Sequence, residues 1–367
     1  MSRVPGRVSI REVAEAAGVS VAAVSQALNG KGRISKATAD VIRQTAREMG
    51  FVPNQGAARM RSGESLLLGL VVTDISNPFY AELTSEVEDT AYAEGYLSII
   101  ANCHDDPERQ EALLQSMIGQ GVAGLMIVPA AGSMPQNFDL IHAHGIPFVF
   151  CVRGITDERA DFVGFDDFKA AYAATRHLIE LGHTRFGVIG GLTQTKTGWL
   201  RIDGVRIALR DAGLALDEAA VLPGPPTSEF GAEATGRLLA RNGDITALMC
   251  HNDYVAFGAY AALAGKRQIG TDISVVGFDN VAGSDVLAPP LTTIGLDSPA
   301  IGKRAVEVLL ARIRAGETVR QSINLAARLI VRGSTGPAPS AGERIATVTG
   351  LGRDDQQRIG RKRLSDA

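Results

Sequence analysis

Polar side chains follow several short apolar runs, each directly after the point where the run ends. The carboxylates and amides at these points are Asp74 after residues 66–72, Asp166 after residues 162–165, Asn252-Asp253 after Cys250, and Asp279-Asn280 after Phe278. Such groups can hydrogen-bond the hydroxyls or ring nitrogens of a small molecule. In open sheets of parallel strands, ligands bind outside the carboxyl ends of the strands. If the runs form parallel strands, the sequence predicts a ligand site where these ends meet.

Spacings typical of catalysis are absent from the sequence. No G-x-G-x-x-G follows an apolar run, no G-x-x-x-x-G-K-[ST] loop occurs, and no nucleophile occupies a G-x-S-x-G turn. The six histidines form no cluster that suits a catalytic base or a metal. The sequence therefore favours a binding protein without cofactor or metal. An enzyme acting on a sugar-like substrate and a solute-binding protein are the alternatives, which turnover assays and cellular localisation would identify.

The elements that would position these side chains alternate between strands and helices. Predicted strands cover residues 66–72, 96–101, 124–128, 147–152, 185–190, 247–250 and 273–278. Helical patterns lie between them, for example over residues 81–94, 170–181 and 254–264. Repeated βαβ units form parallel sheets. Two such series predict two doubly wound parallel-sheet subdomains with the ligand between them.

Features of the whole chain narrow the class of protein and its cellular location. No stretch approaches the roughly 18 apolar residues of a membrane span, and the N-terminal segment lacks the apolar core of a secretory signal. We therefore expect a cytoplasmic protein that does not enter a membrane. Three widely spaced cysteines lie in apolar runs, which predicts buried, reduced thiols: Cys103, Cys151 and Cys250.

Charge is distributed unevenly along the chain. Residues 1–63 hold ten basic and four acidic residues, a charge of +6, so that the total of −3 leaves −9 on the remainder. A basic N-terminal region on an acidic protein indicates a polyanionic partner at that end.

Three short helices are predicted in this basic region. The first has a capping box at Ser9 and Glu12 and ends at Gly18, and Ser20 and Ser35 can cap the next two. The expected inner faces are Ile10, Val13, Ala14 and Ala17 in the first helix, Val21, Val24 and Leu28 in the second, and Val41, Ile42, Thr45, Ala46 and Met49 in the third. A short Gly-Val turn between the first two predicts a helix-turn-helix, whose second helix can enter a DNA major groove.

The residues of the helix-turn-helix also resemble a known family. The segments 8–14, 17–30, 50–54 and 74–79, which read VSIREVA, AGVSVAAVSQALNG, GFVPN and DISNPF, are similar to the LacI/GalR repressor family, and the likeness extends over most of residues 8–335. The resemblance implies a DNA-binding head, a hinge and a ligand-binding body with the architecture of periplasmic sugar-binding proteins. It implies domains at residues 1–52, 53–65 and 66–335, and we expect residues 336–367 to form a disordered tail.

The resemblance assigns base-reading roles to the start of the second helix. Val21 and Ala22 offer apolar contact to a thymine methyl, and Gln26, where arginine is common, can pair with adenine. Candidate phosphate contacts come from the helix N-termini at Ser9 and Ser20 and from Ser25 and Asn29. In the hinge, Met60 takes the position of a leucine that wedges between bases of the minor groove, with Ala57 and Arg61 beside it.

An effector site follows from the same resemblance. Its residues are Phe79, Tyr80, Asp166, Thr197, Arg201, Asn252 and Asp279. Carboxylate, amide and guanidinium groups beside an aromatic face suit a sugar or sugar derivative. Trp199 or Phe230 could supply stacking, whereas Asp253 and Asn280 are assigned to structural hydrogen bonds. The expected protein is a homodimer on a palindromic operator of double-stranded DNA, with half-sites about 34 Å apart and an affinity that the effector changes.

Overall fold

The computed structural model describes residues 8–29, 34–52, 65–155, 157, 159–316 and 319–340. The chain divides into two compact units, Met1–Ser65 and Leu66–Ala367. No helix among the described residues is long and apolar enough to cross a membrane.

The first unit, called the head, contains the three expected helices: α1 (Ile10–Ala16), α2 (Val21–Asn29) and α3 (Lys36–Glu48). Ser9 and Glu12 form the expected capping box. The Ser20 hydroxyl accepts a hydrogen bond from Ala23 N at 3.2 Å, and that of Ser35 accepts one from Thr38 N at 3.2 Å. The local signals in the sequence therefore place all three helix starts correctly.

Two of the expected core positions of the head are wrong. Val21 and Val41 are 40% and 56% exposed, whereas Val24 and Ile42 are fully buried. Val21 is the first residue of α2. Val41 is one residue, or about 100° of rotation, away from the buried face that passes through Ile42. Alanines complete the core instead, at Ala27 and Ala39.

The second unit, called the body, consists of two lobes, each built on a six-stranded sheet. The sheet of the first lobe has the strand order β11-β5-β4-β3-β1-β2, with all its strands parallel. Its strands are β1 (Leu67–Val72), β2 (Leu97–Asn102), β3 (Gly124–Ile127), β4 (Phe148–Val152), β5 (Asp161–Phe165) and β11 (Ser322–Leu325). Its helices are α4 (Pro78–Ala93), α5 (Pro107–Gly119), α6 (Asp139–Ala143) and α11 (Ser298–Ala315).

The second lobe has the sheet order β12-β10-β9-β8-β6-β7. Its strands are β6 (Phe186–Ile189), β7 (Val221–Leu222), β8 (Ala247–Cys250), β9 (Ser274–Asp279), β10 (Thr292–Gly295) and β12 (Arg328–Ile330), and its helices are α7 (Asp167–Glu180), α8 (Lys196–Asp211), α9 (Ser228–Arg241) and α10 (Asp253–Leu263). The expected parallel pairing holds except at the edge, where β12 runs antiparallel to β10. The three cysteines are buried, as expected.

The chain passes between the lobes at three points: between β5 and α7, between β10 and α11, and between β11 and β12. The long helix α11 follows a strand of the second lobe but packs on α4 of the first. The two lobes therefore meet along three connections, with the carboxyl ends of many strands facing the space between them.

The expected disorder from residue 336 onward is wrong for residues 336–340, which the structure describes. Gly336 O accepts a hydrogen bond from the His183 side chain at 3.0 Å, and Ala338 N donates to Leu181 O at 2.8 Å. These bonds attach the segment to the end of α7, which composition alone does not reveal.

Candidate functional site

A cavity of about 290 Å³ lies between the two lobes of the body and is called the cleft. It is lined by side chains from the ends of both sheets: Thr73, Asp74, Asn77, Phe79, Tyr80, His104, Asp105, Val152, Arg153, Leu192, Thr197, Arg201, Pro225, Pro226, Thr227, His251, Asn252 and Asp279. The cleft therefore combines an apolar surface with several convergent polar groups, as small-molecule sites do.

Aromatic side chains at the start of α4 form one part of the first-lobe wall. Asn77 begins the helix, because its Oδ1 accepts a hydrogen bond from Phe79 N at 3.0 Å. Phe79 and Tyr80 pack edge to face, with ring centroids 5.3 Å apart. Burial raises the pKa of the Tyr80 phenol, so at neutral pH this hydroxyl keeps its proton and can donate a hydrogen bond.

An arginine that was not among the expected site residues, Arg153, forms the other part of this wall. Val152, at the end of β4, has φ +63°, a conformation rare for β-branched residues. The backbone turn that follows directs Arg153 into the cleft, where its Nη1 donates to Asp105 Oδ1 at 2.7 Å. Asp105 Oδ1 also accepts from Ala131 N at 2.8 Å. A single ion pair therefore anchors the Arg153 side chain, which is 8% exposed.

The second-lobe wall is centred on Arg201 of α8, which is fixed on three sides. Its Nε donates to Asp167 Oδ1 at 2.8 Å, and its Nη1 donates to His251 O at 2.5 Å. The guanidinium also lies over the Phe278 ring, 4.2 Å from its centroid. Such a cation–π contact is strongest where the groups are desolvated, as here. The Arg201 side chain therefore presents a fixed orientation to the cleft.

Helix packing brings Arg201 to its partner. A Cβ atom at Gly204, one turn further along α8, would lie 2.6 Å from Phe168 O. Glycine therefore permits a close approach of α8 to α7, which begins at Asp167. Burial raises the pKa of Asp167, and the charge of Arg201 opposes that shift.

Two further polar groups complete this wall. Asn252 begins α10: its Oδ1 accepts from Val255 N at 3.0 Å, and its Nδ2 donates to Pro226 O at 3.4 Å. Asp279 has φ +103° and is 9% exposed, and its carboxyl group makes no hydrogen bond within the described residues. Burial raises the pKa of Asp279 well above its ordinary value. In its neutral form this carboxyl group can both donate and accept a hydrogen bond.

The charges of both cleft arginines act on the His251 imidazole. Burial lowers its pKa well below the ordinary value, and the positive charges of Arg201 and Arg153 lower it further. The imidazole is therefore neutral at physiological pH. It can act in the cleft as a hydrogen-bonding group without adding charge.

Six of the seven residues expected in the effector site line the cleft: Phe79, Tyr80, Thr197, Arg201, Asn252 and Asp279. The seventh, Asp166, does not. Its Oδ1 accepts from Lys169 N at 3.1 Å at the start of α7, and it lines a neighbouring cavity of about 200 Å³. Thr197 lines both cavities.

The expected stacking residues do not line the cleft. Trp199 is 48% exposed on α8, and Phe230 packs in the core of the second lobe, where it contacts Gly224. Pro225 and Pro226 take up the corresponding part of the wall. The apolar contact surface on this side is therefore aliphatic.

Asp253 and Asn280 have the structural roles that the sequence indicates. The two oxygens of Asp253 accept hydrogen bonds from Thr293 Oγ1 at 2.6 Å and Val281 N at 2.9 Å. Asn280 Oδ1 accepts from Arg332 Nη2 at 2.6 Å. Burial raises the pKa of Asp253 to about 7.

Several missed residues of the cleft follow the same sequence rule as those that were found. Asp105 lies soon after the end of β2, Arg153 directly follows β4, and His251 directly follows β8. A search for polar residues after every predicted strand would therefore have identified all three.

In the head, some of the residues expected to contact DNA are exposed on α2. Ala22 and Gln26 are exposed and Ser25 is half-buried. The Ser9 hydroxyl is 2.7 Å from Glu12 Oε2 within the capping box. The side chain of Asn29 and the hinge residues Ala57, Met60 and Arg61 lie outside the described residues. Within the part of the chain that the structure describes, no group of acidic, histidine or cysteine side chains is arranged to hold a metal.

Comparisons with known proteins agree with this architecture. The family model for the periplasmic binding proteins and sugar-binding domain of the LacI family matches residues 65–332, and the model for bacterial regulatory proteins of the lacI family matches residues 9–54. The chain is 32% identical to the transcriptional repressor PurR of Haemophilus influenzae (strain PittEE), over 89% of this chain and 98% of that protein. It is 33% identical to the maltose regulon regulatory protein MalI of Escherichia coli (strain K12), over 88% and 98% of the two chains.

Solved structures give the same assignment. The lac repressor dimer bound to operator and the anti-inducer ONPF has a TM-score of 0.80 at 25% identity, covering 90% of this chain and 99% of that one. The complex of the transcriptional regulator CelR with cellobiose has a TM-score of 0.68 at 29% identity, covering 89% and 100%. With both family models matched along the chain and relatives that regulate transcription rather than catalyse reactions, this protein belongs to the lacI family of bacterial regulatory proteins and is a transcriptional regulator.

Proposed function

We propose that this protein is a cytoplasmic homodimeric repressor whose affinity for a palindromic operator is set by a small molecule, a sugar or sugar derivative, bound in the cleft. The observation that carries the proposal is the cleft itself, because its polar groups come from both lobes. Sugar-like ligands occur in similar structures: CelR is bound to cellobiose, and a LacI-family regulator from Enterococcus faecium is bound to ribose.

The ligand would bind against the aromatic rings of Phe79 and Tyr80, with hydrogen bonds from Arg201, Asn252 and Asp279. Thr197 lies at the edge towards the neighbouring cavity. A hydroxylated ring offers both donors and acceptors, which matches a wall containing a guanidinium, an amide and a carboxyl group. Because these residues belong to different lobes, a ligand that contacts all of them favours the closed arrangement.

The lobes would transmit this closure to the head through the three connections and the hinge. A ligand shifts such an equilibrium only by its difference in affinity for the two arrangements. In the proposed mechanism, closure changes whether two hinges can pair in the minor groove, where Met60 would wedge between bases beside Ala57 and Arg61.

The head would read sequence through α2. Val21 and Ala22 would contact thymine methyl groups, and Gln26 would pair with adenine N6 and N7. Phosphate contacts would come from the helix starts at Ser9 and Ser20, and from Ser25 and Asn29. Exposure of Val21, at 40%, supports a role at an interface, since its side chain is not needed in the core of the head.

Operator selection with the purified full-length protein tests this proposal. We expect a palindromic site, an affinity for it that changes with at least one ligand from a panel of sugars, sugar acids and nucleobases, and loss of the adenine preference in Gln26→Ala. A matched control is Gln44→Ala on α3, because the Gln44 side chain instead bonds Glu48. Weak, salt-sensitive binding without sequence preference under every ligand would contradict the proposal.

A further inference from the structure

The cleft contains a second buried arginine, Arg153, in addition to the Arg201 that the sequence indicates. We infer that the effector carries an anionic oxygen group, a carboxylate or a phosphate, which binds between Arg153 of the first lobe and Arg201 of the second. This inference rests on the proposed function, since it names the chemical class of the ligand of the same cleft.

Both guanidiniums retain donors that the protein does not use. Arg153 bonds Asp105 through Nη1, and its Nε and Nη2 make no hydrogen bond within the described residues. Arg201 bonds through Nε and Nη1, and its Nη2 likewise has no partner in that part of the chain. Among the described residues, the buried side-chain polar atoms without a partner are Thr84 Oγ1 and Ser98 Oγ, so the free arginine donors are not sealed in the core and can be reached from the cleft. An anionic group with several oxygens would satisfy them in pairs, since planar guanidinium groups bind carboxylates and phosphates in a two-pronged manner.

The guanidinium groups of Arg153 and Arg201 line the same cavity. Both line the cleft, one from each lobe. The charges of both stabilise the ionised form of Asp279, and both disfavour the protonated form of His251. Because charge interactions weaken with distance, two cations that act on the same pair of side chains surround the same space.

The acidic side chains near the cleft do not block an anion there. Asp105 and Asp167 are each engaged with one arginine, at 2.7 and 2.8 Å. Asp74 accepts from Ser76 N and Oγ at 3.0 and 2.6 Å. The remaining carboxyl group, Asp279, has a pKa raised by burial and can therefore donate its proton to an oxygen of the ligand.

Placement on opposite lobes gives the anion a role in closure. An anion that makes charge-assisted hydrogen bonds to both guanidiniums gains its full set of contacts only when the lobes are close together, so its binding favours the closed arrangement. A neutral sugar lacks this effect, so its difference in affinity between open and closed arrangements is smaller. The cavity of about 290 Å³ is near the lower limit of the roughly 300–1,000 Å³ found for small-molecule pockets. We therefore expect a single sugar unit, as an acid or a phosphate.

Calorimetric titration of the full-length protein tests this inference. The probes are gluconate, glucuronate, galacturonate and glucose 6-phosphate, with glucose, galactose and gluconamide as the neutral counterparts. We expect at least one anion to bind ten-fold or more tightly than its neutral counterpart. Whether the acids or the phosphate bind identifies which anionic group the cleft accepts.

Variants identify the residue responsible. Arg153→Gln should weaken binding of that anion by about 10- to 100-fold, the loss expected for hydrogen bonds to a charged group. Because this change leaves Asp105 without its cation, Arg153→Gln/Asp105→Asn is the second variant, with thermal melting to verify folding. The control is Arg206→Gln on the outer surface of α8, where Arg206 pairs with Glu218; it should leave the affinity unchanged.

Two results would overturn the inference. One is tighter binding of a neutral sugar than of every anion, and the other is anion binding that both Arg153 variants leave unchanged. In either case a response of operator binding to the neutral sugar would leave the proposed function standing. If no probe binds, the inference is also wrong, and operator selection then decides the proposed function separately.

Discussion

The two walls of the cleft hold their arginines in different ways. On the second lobe, a carboxylate, a backbone carbonyl and an aromatic ring fix Arg201. On the first lobe, Arg153 has one carboxylate partner, Asp105, and follows Val152 in the left-handed region. One wall is thus positioned in advance by several redundant contacts, whereas the other depends on a single ion pair beside an unfavourable backbone conformation.

This difference indicates a division of labour. A site that is already arranged for its ligand loses little conformational entropy on binding, so the second-lobe wall can provide affinity. A wall with fewer constraints can change its arrangement when a ligand arrives, so the first-lobe wall can report occupancy. Unfavourable backbone conformations often persist at sites of this kind.

The largest expected effect comes from removing the centre of the second-lobe wall. Arg201→Met leaves Asp167 buried without its cation, and breaking a buried ion pair in this way costs about 3–5 kcal/mol. We expect a matching decrease in the free energy of unfolding, measured with urea, together with loss of ligand binding. Arg201→Met/Asp167→Leu should recover much of the stability but not the binding. If the single variant were as stable as the parent protein, the second-lobe wall would not be the constrained one.

A pH effect on stability is expected from the second lobe. Asp253 has a folded pKa of about 7 against an ordinary value of 3.8, so the folded state binds more protons than the unfolded state between these values. Stability from this group is therefore complete below about pH 4 and is lost as the pH rises towards 7 and above, by up to about 4 kcal/mol at 1.4 kcal/mol per pKa unit.

Asp253→Asn isolates this contribution. The amide resembles the neutral acid: its oxygen can accept from Val281 N, and its NH₂ can donate to Thr293 Oγ1. Urea unfolding between pH 4 and 8 should therefore depend less on pH in the variant than in the parent protein. Equal slopes would show that Asp253 does not titrate in this range.

A smaller effect is expected where the two walls meet. The Tyr254 hydroxyl of the second lobe donates to Ser76 O of the first at 3.1 Å. Tyr254→Phe removes this bond, which at a partly exposed position contributes about 0.5–1.5 kcal/mol. We expect a two- to ten-fold shift towards the open arrangement, visible as a larger radius of gyration in X-ray scattering without ligand. Tyr172→Phe, which removes a bond to Asp211 within the second lobe, should leave the radius unchanged.

The smallest effect is expected at Trp199, which lies on the same helix as Arg201 but does not line the cleft. Trp199→Ala should alter ligand affinity by less than about two-fold, since exposed substitutions outside a site change free energies by about 0.5 kcal/mol or less. Fluorescence of this single tryptophan should likewise change little on titration. A large quenching by ligand would place Trp199 in the site after all.

Local rules explain how much of this molecule was predictable. Ser9, Ser20 and Ser35 mark helix starts because a side-chain oxygen satisfies amides that the helix leaves free. Asp279 was identified because polar residues at strand ends face the space between lobes. These signals act over a few residues, so one sequence suffices to find them.

Long-range packing explains the remainder. The strand-end rule marks Arg153 as a candidate, but the left-handed conformation of Val152 opposes the preference of its residue type, so that rule does not predict the ion pair of Arg153 with Asp105. The attachment of residues 336–340 depends on His183, far away in the sequence. The exposure of Val41 depends on how α3 is rotated against its neighbours. The residue type alone does not predict it, because a valine can occupy either the core or the surface.

The three connections between the lobes also have a consequence for synthesis. The sheet of the first lobe receives its edge strand β11 from residues 322–325, and that of the second receives β12 from residues 328–330. Neither sheet can therefore be completed before its own late strand has left the ribosome, β11 for the first lobe and β12 for the second. The nascent chain therefore carries two incomplete sheets until residues 322–330 have emerged, and both sheets become complete within a few residues of each other.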